Sequence, residues 1–115
     1  MSKPKDPIVF VNHILEAIQD IGEYRKCVTD YNEFVENEMI QDAIIRKLEI
    51  IGEATSNLSD EFISSHPQVS WRGPKTLRNV LAHQYFDVNL ETVWEVIERD
   101  LPILEKEIKN LHELS

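Results

Sequence analysis

Cysteine, glycine, aromatic residues and positive charge are all scarce in this chain of 115 residues. Cys27 is the only cysteine, so an internal disulfide cannot form and a cysteine-based zinc site lacks ligands; the usage fits a reducing cytosol. Three glycines and an apolar set dominated by aliphatics favour helices over a turn-rich sheet protein. No run approaches the length needed to span a bilayer, and the opening Met1 to Pro7 is not followed by an apolar segment of signal-peptide length. A cytoplasmic protein that does not engage membranes is the expectation. Lys and Arg number 12 against 21 Asp and Glu, a net charge of −9. That balance argues against broad electrostatic binding to DNA, so no DNA partner is expected, but it leaves room for a nucleic acid met at one local patch. The length suits one domain, residues 1–115, with a single core. His13, His66 and His112 have no partner at metal-ligand spacing, and the Glu-x-x-His pair of di-iron bundles is absent. No metal and no cofactor are expected.

The apolar pattern is helical throughout. Ile8, Val11, Leu15, Ile18 and Ile21 mark one face of a first helix, which stops at Gly22 or runs on to about Val28. A second helix starts near Asp30, with Ile40, Ile44, Leu48, Ile51, Thr55 and Leu58 on one stripe. Ala43, Ile45 and Ile50 widen that stripe, so this helix is central or shared with a partner chain. Ser59 can cap a short helix through about Ser65, ended by Pro67. Gly73-Pro74 reads as the start of a helix reaching about His83, with Leu77, Val80 and Leu81 inward. Asn89 can cap a last long segment through Leu90, Val93, Trp94, Ile97, Leu101, Leu104, Ile108 and Leu111. Pro102 predicts a kink or break in it near Asp100. The expected architecture is all-α, an up-and-down bundle of four to five helices.

What the chain does have is one acid-free window. From His66 to Phe86 there are three cations, Arg72, Lys75 and Arg78, and no carboxylate. Within it lies Arg78-Asn79-Val80-Leu81-Ala82-His83-Gln84-Tyr85. Arginine presents a permanently charged planar fork suited to phosphate oxygens. Histidine titrates near neutrality and can take a proton and return it. Together they suit cleavage of RNA by attack of the ribose 2′-hydroxyl on the adjacent phosphate, a reaction that needs no metal. The geometry sets a condition. Five positions turn through roughly 500°, so Arg78 and His83 lie about 140° apart on an ideal helix and do not share a face. Asn79 and His83 do. A site therefore needs His83 at a frayed helix end or a cleft that takes both flanks, such as one shared across a two-fold dimer. The plain alternative is that Arg78 pairs with a surface carboxylate and His83 with a helix end.

The string Trp71-Arg72, then Arg78 to Phe86, then Asp87-Val88-Asn89-Leu90-Glu91-Thr92-Val93-Trp94 and Asp100-Leu101-Pro102 resembles the HepT-like branch of the HEPN proteins. Leu48-Glu49-Ile50-Ile51-Gly52-Glu53-Ala54 resembles that family's second helix. The resemblance covers about Ile40 to Leu104. It implies a helical bundle that dimerises, with both motifs facing one cleft, and a metal-independent endoribonuclease acting on cellular RNA such as tRNA. It implies a toxin paired with a MntA-like nucleotidyltransferase antitoxin, which silences it by transferring AMP from ATP to the tyrosine of the H-x-Y element. Carried over by residue, Arg78 and His83 are catalytic, Asn79 is the polar in-motif residue and Tyr85 is the site of AMPylation. AMP at Tyr85 would block RNA by bulk and by charge. Gly73-Pro74 departs from the family pattern and bears on where the motif helix starts.

Other residues have two readings each. Arg72 and Lys75 guide RNA phosphates or are solvated charge. Glu53 orients His83 or Arg78 from the second helix, or has a structural partner. Trp71 and Trp94 stack on bases or pack in the core. The whole chain also has a second reading, a non-catalytic binding module that partners a nucleotidyltransferase, and a third, a helical scaffold without chemistry.

Overall fold

Asp6 and Pro7 start the first helix. The Asp6 carboxylate accepts from the Ile8 N–H at 3.0 Å, and the proline ring sits where no intrahelical N–H is needed. In the computed structural model, which describes residues 6–71, 73 and 89–114 with side chains to 111, this helix, α1, spans Pro7–Arg25. It passes through Gly22, where a Cβ would meet nothing within 4 Å.

The expected second helix is broken in two. Tyr31–Glu36 forms α2, capped by Asp30, whose carboxylate accepts from the Glu33 N–H at 3.0 Å. Asn37 then leaves helical geometry, with φ −112° and ψ 88°. Its side chain caps α3, Glu38–Ser56, by accepting from the Ile40 N–H at 3.0 Å. Gln41 closes the corner: its amide donates to the carbonyls of Phe34 at 2.9 Å and Val35 at 2.8 Å. The break has a packing reason. It lets Phe34 turn fully inward against Tyr31 and Trp94, while Ile44, Leu48, Ile51 and Thr55 of α3 face α1. Buried Thr55 satisfies its hydroxyl by donating to the Ile51 carbonyl at 2.8 Å.

Ser59 caps α4, Asp60–Ser65, by accepting from the Phe62 N–H at 3.0 Å. Further along, the Asn89 side chain accepts from the N–H groups of Glu91 and Thr92 and caps α5, Leu90–Glu95. The expected disturbance before Pro102 takes a specific form. Val96–Asp100 is a π turn, with Leu101 N–H donating to the Val96 carbonyl five residues back, and α6, Leu101–Leu114, follows without a break. Proline cannot donate to Glu98, and its ring would crowd that carbonyl in a regular α-helix, so the coil widens there. Val93, Ile97, Leu101, Leu104 and Ile108 remain on the core side.

The protein is an all-α bundle, and among the described residues there is no strand. Its core is one apolar cluster drawn from α1, α2, α3, α5, the π turn and α6, with Val28, Leu58, Val69 and Trp71 from the connections. Among the described residues no helix is long and apolar enough to cross a membrane.

Candidate functional site

Arg72, Lys75, Arg78, Asn79, His83 and Tyr85 lie outside the described residues, as does the helix expected from Pro74 to His83. The structure does place the two ends from which that stretch is hung. On the approach, Val69 and Trp71 are buried. The Trp71 indole N–H donates to the His66 carbonyl at 3.0 Å, and its ring lies 5.8 Å from that of Phe62. His66 stacks on the same phenyl ring at 4.4 Å, with Nδ1 2.9 Å from the Phe62 carbonyl. Between Val69 and Trp71, Ser70 turns outward to α6: its N–H donates to Glu107 Oε1 at 3.1 Å and its hydroxyl to Oε2 at 3.4 Å. Trp71 is thus a buried anchor and not a platform open to a base. Gly73 is exposed, helical and unconstrained; a Cβ there would meet nothing within 4 Å.

On the far side, the Asn89 cap fixes the start of α5, and Trp94 follows just over one turn later. Trp94 is half-buried, its ring 5.2 Å from that of Phe34 and 5.9 Å from that of Tyr31. The Arg25 guanidinium covers it, 4.4 Å from the ring centroid. Arg25 also donates to the Val28 carbonyl at 2.9 Å and pairs through Nε with Glu98 of the π turn. Packing, the second of the two readings, therefore holds for both tryptophans.

Glu53 lies on the outer face of α3, lining a cleft of about 450 Å³ where α3 meets α1. His13 and Phe10 form the α1 edge, their rings 6.4 Å apart and edge-on. Arg46, Ile50 and Asn57 share the α3 wall with Glu53, at helical spacings of four, three and four. A second, more apolar groove of about 270 Å³ runs past Ser70 and Gly73 along Val96, Asp100 and Leu104. Elsewhere the clearest charge effect is Lys47, whose amine is held above its ordinary range by a hydrogen bond to Asp20, against a smaller opposing effect of burial. Sequence reasoning missed the cleft. Its signal is present, as Arg46, Ile50, Glu53 and Asn57 on one face, but the pattern by itself reads as a solvated polar face interrupted by Ile50.

Comparison with known proteins decides the family. Residues 14–111, which include the whole Arg78–Tyr85 string, match the family described as ribonuclease HepT-like. The chain belongs to the HepT-like ribonuclease family. It is 41% identical over 109 residues to a protein of Methanocaldococcus jannaschii named as a candidate RNase, covering 95% of this chain and 98% of that one. A second protein of that organism, named as a gamma-glutamylcyclotransferase and candidate RNase, is also 41% identical over 109 residues, and this chain spans about half its length, 49%. A protein of Thermococcus cleftensis named as a probable ribonuclease HepT is 34% identical over 102 residues, 89% of this chain and 92% of that one. No solved structure gives a significant match. Against this HepT-like background, the motif residues expected to act on RNA are hung between the Ser70–Trp71 anchor and the Asn89 cap.

Proposed function

We propose that this HepT-like chain is a metal-independent endoribonuclease that cuts cellular RNA, with tRNA as the substrate class to test first, and that it works as a homodimer in the cytoplasm. The observation that carries the reading is the Arg78-Asn79-x-Leu81-Ala82-His83-x-Tyr85 string inside a family match that runs from residue 14 to 111. In this reading His83 takes the proton from the ribose 2′-hydroxyl as it attacks phosphorus, and returns a proton to the leaving 5′ oxygen. Arg78 balances the charge that builds on the phosphate oxygens, and Asn79, one helical turn before His83, holds the imidazole. Arg72 and Lys75 draw the RNA backbone toward the longest acid-free stretch of the chain.

Regulation completes the proposal. A MntA-like nucleotidyltransferase antitoxin transfers AMP to the Tyr85 hydroxyl and releases pyrophosphate from ATP. The added phosphate and adenosine then bar RNA from the neighbouring Arg78 and His83. Expression in a host tests both halves. The chain alone is expected to arrest growth, His83→Ala to abolish the arrest, and co-expressed nucleotidyltransferase to relieve it with a mass increase of one or more AMP units on Tyr85. Tyr85→Phe is expected to stay toxic in the presence of the partner. The net charge of −9 favours a second reading, a binding module that partners the nucleotidyltransferase without cutting RNA. Absence of arrest by unmodified chain, with AMP still added to Tyr85, would select it.

A further inference from the structure

Arg46, like Arg99 and Lys106, makes no ion pair among the described residues, but of the three it is the one that lines the cleft between α1 and α3. Its helical neighbours at i−4 and i+3 are Asp42 and Glu49, yet among the described residues Arg46 has no ion pair and no hydrogen bond. Arg46 instead lines the 450 Å³ cleft between α1 and α3, with His13 on the opposite edge. The cleft's volume falls in the range that holds a small ligand, about 300–1,000 Å³. Its wall alternates apolar and polar groups: Phe10 and Ile50 offer flat and aliphatic surface, while His13, Arg46 and Asn57 offer donors.

We infer that this cleft is a nucleotide subsite for single-stranded RNA, with Arg46 as its phosphate contact and His13 with Phe10 as the edge on which a base rests. The inference deepens the ribonuclease reading and rests on it for the identity of the ligand. The residue types suit the task. Single-stranded RNA is recognised by stacking on aromatic or imidazole rings together with contacts to phosphate and to splayed base edges. Glu49 and Glu53 on the same wall make the cleft no general basic patch. A phosphate contact there rests on Arg46 alone, and the Glu49 carboxylate can accept from an exocyclic base amine. Glu53, on the same wall, also belongs to the stretch that resembles the family's second helix.

The test uses a fluorescein-labelled single-stranded 12-mer that is 2′-O-methylated at every position and so cannot be cut through its 2′-hydroxyls. Binding to the full chain is followed by anisotropy across a salt series. Arg46→Ala is expected to weaken binding about fivefold to tenfold and to lower the slope of log affinity against log salt by about 0.7, the loss of one phosphate contact on a single strand. Arg46→Lys recovers most of the affinity, because the positive charge returns. His13→Ala weakens binding without changing the salt slope, because its part is to stack on a base and not to meet a phosphate. Arg99→Ala, an exposed arginine of the π turn, leaves both affinity and slope unchanged. Wild-type affinity and slope in Arg46→Ala, an equal loss in Arg99→Ala, or a wild-type chain that does not bind the probe would each overturn the subsite. Cleavage of ordinary RNA, read in parallel, separates this from the nuclease reading. A chain that cuts RNA but binds the probe independently of Arg46 loses only the subsite, whereas Arg46-dependent binding by a chain that cuts nothing loses only the nuclease.

Discussion

The α1–α3 face and the α5–α6 end of the molecule share one apolar core but differ in how many polar contacts are added to it. Between α1 and α3 the contact is almost wholly apolar, Val11, Ile14, Ile18 and Ile21 against Ile44, Leu48 and Ile51. Lys47–Asp20 is the ion pair on its edge. The other end adds to its own buried row, Val93, Ile97, Leu101, Leu104 and Ile108, a few polar contacts between residues far apart in sequence, Arg25 with Glu98 and Trp94, and Ser70 with Glu107. Burial of aliphatic surface supplies the bulk of stability, and it is non-directional. Hydrogen bonds and ion pairs contribute less energy but fix orientation. The part of the chain that brackets the Arg78–Tyr85 motif is thus buried like the rest of the core and, in addition, oriented by its polar contacts.

Substitutions sharpen this contrast. The largest loss is expected at the apolar face. Leu48→Ala empties a fully buried position and should cost about 2–5 kcal/mol in urea unfolding. A loss under about 1 kcal/mol would mean that the α1–α3 face does not carry the fold. Arg25→Ala comes next, at about 1–2 kcal/mol. The Glu98 pair is partly solvent-screened and adds little, so most of the effect is the lost cover on Trp94 and the lost bond to Val28. Arg25→Lys should restore only a small part, because an ammonium cannot lie flat on the indole while serving both oxygens. Full rescue by lysine would reduce the contact to simple charge. Asn89→Ala removes the acceptor for two orphan N–H groups of α5 and should cost about 1 kcal/mol, visible as a lower midpoint in thermal unfolding.

The smallest effect belongs to Lys47. Its amine is held above the ordinary lysine range in the folded chain, so the protonated form is the one that folding favours. That contribution is present at neutral pH and is lost as pH rises through the raised value. Lys47→Met should cost less than about 1 kcal/mol at pH 7, since the pair is partly exposed. The gap between variant and wild type should close in strongly alkaline solution. A gap that stays constant to the alkaline limit would assign the effect to the packing of the lysine stem instead.

The same contrast explains what can be read from the sequence. Local signals are legible. Asp30, Ser59 and Asn89 read as helix starts and each caps one, and the stripe from Ile44 to Thr55 is the face that meets α1. Pro102 gives away the place of the disturbance before it, though its form is a π turn and not a break. The division of the second helix is marked only by Asn37, a capping residue type with nothing before it that stops a helix. Glu36, Asn37 and Glu38 carry no glycine or proline, and the corner depends on Gln41 reaching back to Phe34 and Val35 once Phe34 is buried. Ser70–Glu107 and Arg25–Glu98 join residues 37 and 73 positions apart, beyond the reach of any periodicity. The motif itself is legible as chemistry, an arginine, a histidine and a tyrosine in an acid-free window, and the family match spans it. Arg46 and His13 escape a sequence reading because a cleft is made by two helices, and neither shows it alone.

The most direct measurement is cleavage of total RNA by the purified chain in excess EDTA, wild type beside His83→Ala, with the mass of each protein checked so that no AMP is already present on Tyr85. The account predicts cleavage by the wild type and none by the variant at equal folded concentration. Equal cleavage by both would place the activity outside the motif, and no cleavage by unmodified wild type would contradict the claim that this chain is a metal-independent ribonuclease.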